Sequence, residues 1–130
     1  MTVVDASVVV EILLRTKKAH LLEARLFDVY EPLYAPCLID IEVAQVIRRY
    51  FFTGDLSAER GRLALLDLQN MPIQRFPHDV FIVNLWEMRD NFTMYDAAYV
   101  ALAQVLSATF ITCDRRLAKV ARQRIEVEVF

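Results

Sequence analysis

The sequence predicts an α/β fold: one three-layer α/β/α domain over residues 1–130, built on a central, mostly parallel sheet. Three observations carry that prediction. Short β-branched or apolar runs alternate with longer stretches of helical periodicity, and strands separated by helices imply a parallel sheet covered on both faces. Only 2 glycines and 4 prolines occur, too few for the many tight turns of an all-β fold. Hydrophobic residues make up 56% of the chain and charged residues 25%, which excludes disorder, collagen and coiled coil as the main class. No repeat, low-complexity segment or linker divides the chain.

The elements follow in order. Thr2-Val3-Val4 opens as a β-branched strand and stops at Asp5. Ser7 to about Leu14 continues as apolar helix or turn. Lys17–Tyr30 spaces Leu21, Leu22, Ala24, Leu26 and Phe27 as an amphipathic helix, which Pro32 ends. Leu33-Tyr34-Ala35 has the length of a strand only. Pro36 stands where a helix starts, and Leu38–Phe52 is strongly helical. Gly54-Asp55 closes that helix. Ser57 caps the next, with Arg60 at its third position, and Pro72 breaks it after Asn70. Ile73–Phe76 reads as a strand and His78 to about Arg89 as a helix. Thr93-Met94-Tyr95-Asp96 resembles a capping box, with Asp in the usual Glu place, ahead of the apolar helix Ala97–Leu106. Thr109–Thr112 is a buried strand, Arg115–Arg122 a short helix, and the alternating Glu126–Val129 an edge strand.

Composition removes several function classes. With 15 basic and 17 acidic residues the net charge is −2. A protein that coats nucleic acid is strongly basic, so any such contact here needs a local basic patch. No G-x-G-x-x-G or G-x-x-x-x-G-K-[ST] run is present, which excludes the usual dinucleotide and P-loop sites. Cys37, Cys113, His20 and His78 fit no zinc spacing. The two cysteines read as small apolar residues of a reducing compartment. The opening MTVVDASVVVEILL carries Asp5 and Glu11 and no basic n-region, unlike a signal peptide. No stretch of about 20 residues is free of charge, so no membrane span is expected. The expected location is the cytoplasm.

Ligands of an open parallel sheet bind beyond the carboxyl ends of its strands. Asp5 and Asp114 follow two predicted strands directly. Asp96 opens a helix whose N-terminus faces the same rim. Glu42 lies in a helix among Leu38, Ile39 and Val46, on a face that should be largely buried. Each has a plainer reading: Asp5 and Asp114 as helix caps, Asp96 as half of a capping box, Glu42 as a surface residue paired with Arg49. Asp40, beside Val43 and Ala44, is a rival for Glu42. Together, four acids on one rim with no lysine among them repel one another, and a hard divalent cation with oxygen ligands is the simplest neutralising partner.

The runs VVDASVVVEILL, PCLIDIEVAQVIRR and TMYDAAYVALAQVLSATFITCDRRLAKVA resemble the PIN-domain family, and within it the VapC-type toxins of prokaryotic toxin–antitoxin pairs. The likeness covers essentially the whole chain. Its most specific part is Tyr95-Asp96-Ala97-Ala98-Tyr99, followed by Asp114-Arg115-Arg116-Leu117. The resemblance implies a single PIN domain and an Mg²⁺- or Mn²⁺-dependent endoribonuclease, cutting tRNA, rRNA or mRNA. It implies Asp5, Glu42, Asp96 and Asp114 as the four acidic site residues. Asp5, Asp96 and Asp114 are then the metal-positioning set, and Glu42 orients the attacking water or serves as base. Ser7 and Thr112 fall on the family's small hydroxyl positions, where they hydrogen-bond the carboxylates from behind. It further implies a homodimer and a VapB-type antitoxin partner that occupies the acidic rim.

Two basic clusters are candidates for the RNA backbone: Arg115, Arg116, Lys119 and Arg122 beyond Asp114, and Arg15, Lys17 and Lys18 beyond the first helix. Tyr50-Phe51-Phe52 spans too much of a helix for all three rings to face one core, so at least one is exposed or buried in an interface. Rival classes fit less well. A haloacid-dehalogenase-type phosphatase needs an aspartate where Ser7 stands. A receiver domain needs paired acids at the first strand and a lysine where Asp114 stands. A non-toxin PIN ribonuclease and a catalytically silent PIN-like binding module are the remaining alternatives.

Overall fold

The computed structural model describes residues 1–27 and 30–130. Five strands form one sheet: β1 Thr2–Val4, β2 Leu33–Pro36, β3 Ile73–Phe76, β4 Thr109–Thr112 and β5 Val127–Val129. The described helices are α1 Ala6–Leu13, α2 Ala19–Phe27, α3 Ile39–Phe52, α4 Ala58–Asn70, α5 Ile82–Glu87, α6 Met94–Leu106 and α7 Arg115–Ala121. All strand pairs are parallel, in the order β3-β2-β1-β4-β5. This is the three-layer α/β/α arrangement expected from the alternation, with every strand parallel and Val127–Val129 on an edge.

The chain steps from β1 to β2 to β3 in one direction and then returns to the other side of β1 for β4 and β5. Right-handed crossovers therefore place α1–α4 on one face and α5–α7 on the other. Accordingly α1 packs on α2, α3 and α4, whereas α6 lies across β1, β2 and β4, and α7 lies on β4 and β5. Residues Ala97 to Ala103 of α6 are buried without a break, as a helix apolar all round must be. Four of the seven are alanines, which bring the helix close to the sheet and leave room for Tyr99, stacked on Phe110 with centroids 6.3 Å apart.

Several boundaries differ from the sequence expectations. Pro36 ends β2 instead of starting a helix. Its missing N–H is harmless there, because pairing with β1 stops at Tyr34 and the last bond to β3 comes from the Cys37 N–H to Phe76 O at 2.8 Å. Leu38 then precedes α3 with no side-chain cap. The helix expected over Lys17–Tyr30 starts at Ala19, after a turn in which Arg15 takes φ 55°; positions 28 and 29 of that expectation lie outside the described residues. The helix expected from His78 to Arg89 is a 3₁₀ turn, Asp79–Phe81, followed by the short α5. Phe81, at φ −124°, breaks its regularity. The predicted end of α3 holds: Gly54, at φ 84°, turns the chain after Phe52.

Candidate active site

β1 and β4 are neighbours, and between them the strand order reverses. The crevice beyond their carboxyl ends is where an open α/β sheet binds its ligands. Asp5 leaves β1 and Asp114 leaves β4, so the two stand on either side of that crevice.

Asp5 is 5% exposed. It caps α1 through the Val8 N–H, which donates to Oδ1 at 3.2 Å. The Ser7 hydroxyl also donates to Oδ1, and the Thr112 hydroxyl donates to Oδ2, both at 2.5 Å. A carboxylate has about four lone-pair positions, so three are taken and one on Oδ2 is left. Both hydroxyls are themselves held from behind. Ser7 Oγ accepts the Cys113 N–H and Thr112 Oγ1 the Asp114 N–H, each at 2.9 Å. Burial pushes the Asp5 carboxyl above its usual range, against the pull of these donors.

Asp114 is exposed and caps α7, its Oδ1 accepting from Arg116 and Leu117 N–H at 2.9 and 3.0 Å. Asp96 is half-buried in the first turn of α6. Thr93 caps that helix by accepting the Asp96 N–H at 3.1 Å. The reciprocal half of the capping box is missing: among the described residues no backbone N–H reaches the Asp96 carboxylate, which an aspartate is one methylene shorter to offer than the usual glutamate. Burial raises the Asp96 carboxyl, Thr93 opposes it, and the charge of Asp114 adds to the rise.

Glu42 sits in the first turn of α3, at the same rim, and Tyr99 donates its hydroxyl to Oε2 at 2.9 Å. Burial raises Glu42, the Tyr99 bond opposes it, and the charges of Asp5 and Asp96 raise it further. The Tyr99 phenol is pushed far up by its own burial and by these acids, so it stays protonated and remains a donor. The four acids thus form one continuous negative field, and none takes part in an ion pair among the described residues. Asp40 is different. It lies in the same first turn of α3 but forms a bidentate pair with Arg75, at 2.9–3.0 Å. The expected alternative pairing of Glu42 with Arg49 does not occur.

Two residues here were not singled out from the sequence. Tyr99 is one; a tyrosine in an unbroken buried helical run needs a partner for its hydroxyl, and that was the available signal. Asn91 is the other. With Asp96, Asp114, Thr93 and Arg116 it lines a cleft of about 390 Å³. Clefts of about 630 and 580 Å³ lie elsewhere, one over Asp40 and Arg75, the other over Arg15 and Arg60, and neither touches the four acids.

The basic residues divide. Arg115, Arg116 and Lys119 are exposed on α7 beside Asp114. Arg15 pairs with Glu23 beyond the far end of α1. That helix has 8 residues, so Arg15 is roughly 12 Å of helix away from Asp5 and turned to another cleft.

The donor set suits a hard cation. Every atom the four acids and their partners offer is a carboxylate or hydroxyl oxygen, and among the described residues none of the four acids is ion-paired. Among the described residues no three Asp, Glu, His or Cys side chains stand as a ready-made ligand shell.

A family model described as "PIN domain" matches residues 2–123. "Ribonuclease VapC12" of Mycobacterium tuberculosis (strain ATCC 25618 / H37Rv) is 34% identical over 129 residues, covering 99% of this chain and 98% of that protein. "Ribonuclease VapC9" of the same strain is 36% identical over 129 residues, with the same coverage. The crystal structure of PAE2754 from Pyrobaculum aerophilum superposes with a TM-score of 0.69 at 20% identity, over 96% of this chain and 89% of that one. That last likeness is one of fold. The family model and the near-complete alignments together show that the chain belongs to the PIN-domain family.

Proposed function

We propose that the protein is a metal-dependent endoribonuclease, the toxin of a VapBC-type toxin–antitoxin pair, acting in the cytoplasm as a single domain. The observation that carries this reading is the set of four mutually repelling carboxylates at the switch point, none of them ion-paired among the described residues. Its VapC-named relatives supply the substrate class. Asp5, Asp96 and Asp114 are the residues to hold Mg²⁺ or Mn²⁺, directly or through water. Bound there, the ion neutralises charge on the phosphodiester and lowers the pKa of a water.

The chain's own groups do the rest. Asp5 offers its remaining Oδ2 lone pair, and Ser7 and Thr112 fix the carboxylate so that this lone pair has one direction. Glu42, raised by burial and by its acidic neighbours, is the group suited to orient the attacking water and accept its proton. Arg116, with Arg115 and Lys119, contacts the RNA backbone. Arg15, paired with Glu23 beyond the far end of α1, is the weaker candidate for such a contact.

Partners need apolar surface, and two patches offer it. Ile41, Ile82, Met94 and Tyr95 are exposed around one groove, and Phe27 and Leu63 flank a second. We assign these patches to a second copy and to a VapB-type antitoxin.

The test is incubation of purified protein with a mixed, structured RNA pool in Mg²⁺ or Mn²⁺, in EDTA, and with Asp96→Asn in parallel. Fragments that need metal and vanish in the variant are the expected result. Folded wild-type protein that cuts no RNA in either metal would move the silent binding module to the front.

A further inference from the structure

The cleft next to the acids is polar on one side and apolar beneath. Asp96 and Asp114 form its wall. Phe92 and Leu117, buried at 7% and 6% exposure, lie underneath, and the exposed Asn91 and Arg116 stand at its edge. At about 390 Å³ it falls in the size range of small-molecule sites, roughly 300–1,000 Å³.

The two edge residues are uncommitted. Among the described residues Asn91 donates only its backbone N–H, to Met88 O, and Arg116 only its backbone N–H, to Asp114. Among the described residues their side chains have no hydrogen-bond partner. Exposed Asn84, Arg122 and Arg124 also lack side-chain hydrogen bonds among the described residues; what sets Asn91 and Arg116 apart is their place at the edge of the acidic cleft. An amide with both donor and acceptor beside a guanidinium is the pair that recognises a base edge and a neighbouring phosphate. Single-stranded RNA presents both once a base is unstacked.

We propose that this cleft is a nucleobase subsite, which takes the base of the nucleotide adjoining the scissile phosphate. Asn91 bonds the edge of that base and Arg116 the phosphate beside it; Phe92 and Leu117 give the ring an apolar bed. The assignment rests on the ribonuclease reading for the identity of its ligand. It makes Asn91 a specificity-determining residue and Arg116 a sequence-neutral one. An amide can make two bonds with the Watson–Crick edge of any unstacked base, and adenine alone also matches it on the Hoogsteen edge, so adenine is the base expected.

A randomised RNA oligonucleotide pool, cut by wild-type protein and sequenced at the fragment ends, tests it. Wild-type protein is expected to favour adenine at one position flanking the cut. Asn91→Ala flattens that position, lowers cleavage of the favoured sequences about 10-fold, and leaves other positions unchanged. Arg116→Ala lowers cleavage of all sequences alike. Both residues are exposed, so thermal stability should stay that of wild type. A flat flank in wild-type protein, or a preference that survives Asn91→Ala, overturns the subsite and leaves the ribonuclease reading standing. If wild-type protein cuts nothing, that reading falls and titration with nucleoside monophosphates decides the subsite. Saturable AMP-induced shifts of the Asn91 and Arg116 amide NMR signals, absent in Asn91→Ala, support it; no shift overturns it.

Discussion

Replacing Thr112 with valine removes one hydroxyl and keeps the branched shape that β4 prefers. That hydroxyl donates to Asp5 Oδ2 at 2.5 Å and accepts the Asp114 N–H at 2.9 Å. Thr112 is 0% exposed and Asp5 5%, so water does not replace either bond. A bond to a charged group is worth about 1.5–3 kcal/mol net and a neutral one about 1 kcal/mol, so the loss is about 3 kcal/mol. Unfolding entropy near 2.1 cal/mol/K per residue gives about 0.27 kcal/mol/K for 130 residues, and Tm falls by roughly 11 °C. The loss also depends on pH. Burial already holds the Asp5 carboxyl above the usual aspartate range in the folded protein, and losing a donor raises it further. Over the interval between the unfolded and folded values the folded state binds the extra proton, so stability falls as pH rises. The Thr112→Val deficit is therefore largest at neutral pH and shrinks as pH drops through the raised folded value. Thermal melts in EDTA, from mildly acid to neutral pH, with Thr112→Ser as the hydroxyl-retaining control, measure this directly. A deficit that does not change with pH, or a serine variant as unstable as the valine one, refutes the account of how Asp5 is held.

Three further outcomes follow from the same geometry. Asp40→Asn breaks the half-exposed pair with Arg75 and costs up to about 1 kcal/mol with cleavage unchanged, whereas Glu42→Gln keeps the Tyr99 bond and removes cleavage; RNA assays and melts on both variants separate the two neighbouring acids. Gly54→Ala places a side chain at φ 84° with open space around it, so the cost is the backbone's alone, about 1 kcal/mol, or roughly 4 °C in a melt. Mg²⁺ or Mn²⁺ at a hundred times its Kd raises wild-type stability by about 2.7 kcal/mol, and Asp96→Asn loses most of that gain in the same titration.

Much of the fold is legible in the sequence because the strands are short, buried and followed at once by a polar stop. Asp5 after Thr2-Val3-Val4 and Asp114 after the Thr109 strand mark the rim for that reason. The plain and the functional reading of these two aspartates turn out to be compatible: each caps a helix and each faces the crevice. What sequence spacing does not reveal is pairing between distant elements. Asp40 and Glu42 are equivalent by pattern, and only Arg75, 35 residues away, separates them. Tyr99, on α6, meets Glu42, on α3, although the two helices cover opposite faces of the sheet and the residues lie 57 apart in the chain. The helix expected over His78–Arg89 fails because its apolar stripe, Phe81, Leu85 and Met88, is satisfied by one short turn against the core without caps at either end. The committed state of Arg15 and the uncommitted state of Asn91 are likewise matters of which neighbours the fold supplies.

The bond between Thr112 and Asp5 joins residues 107 apart, and this bears on the order of events during synthesis. β1 is made before β4, yet its flanks are β2 on one side and β4 on the other. Until β4 is made, Asp5 has neither the Thr112 donor nor Asp114 across the crevice. From Asp5 to Asp114 is 109 residues, which takes on the order of 5 to 20 s at ordinary translation rates. On the proposed role of these acids, a nascent chain lacks the complete site for that interval, whatever its N-terminal half has already folded. The strand order that assembles the acids also delays their assembly until β4 is made.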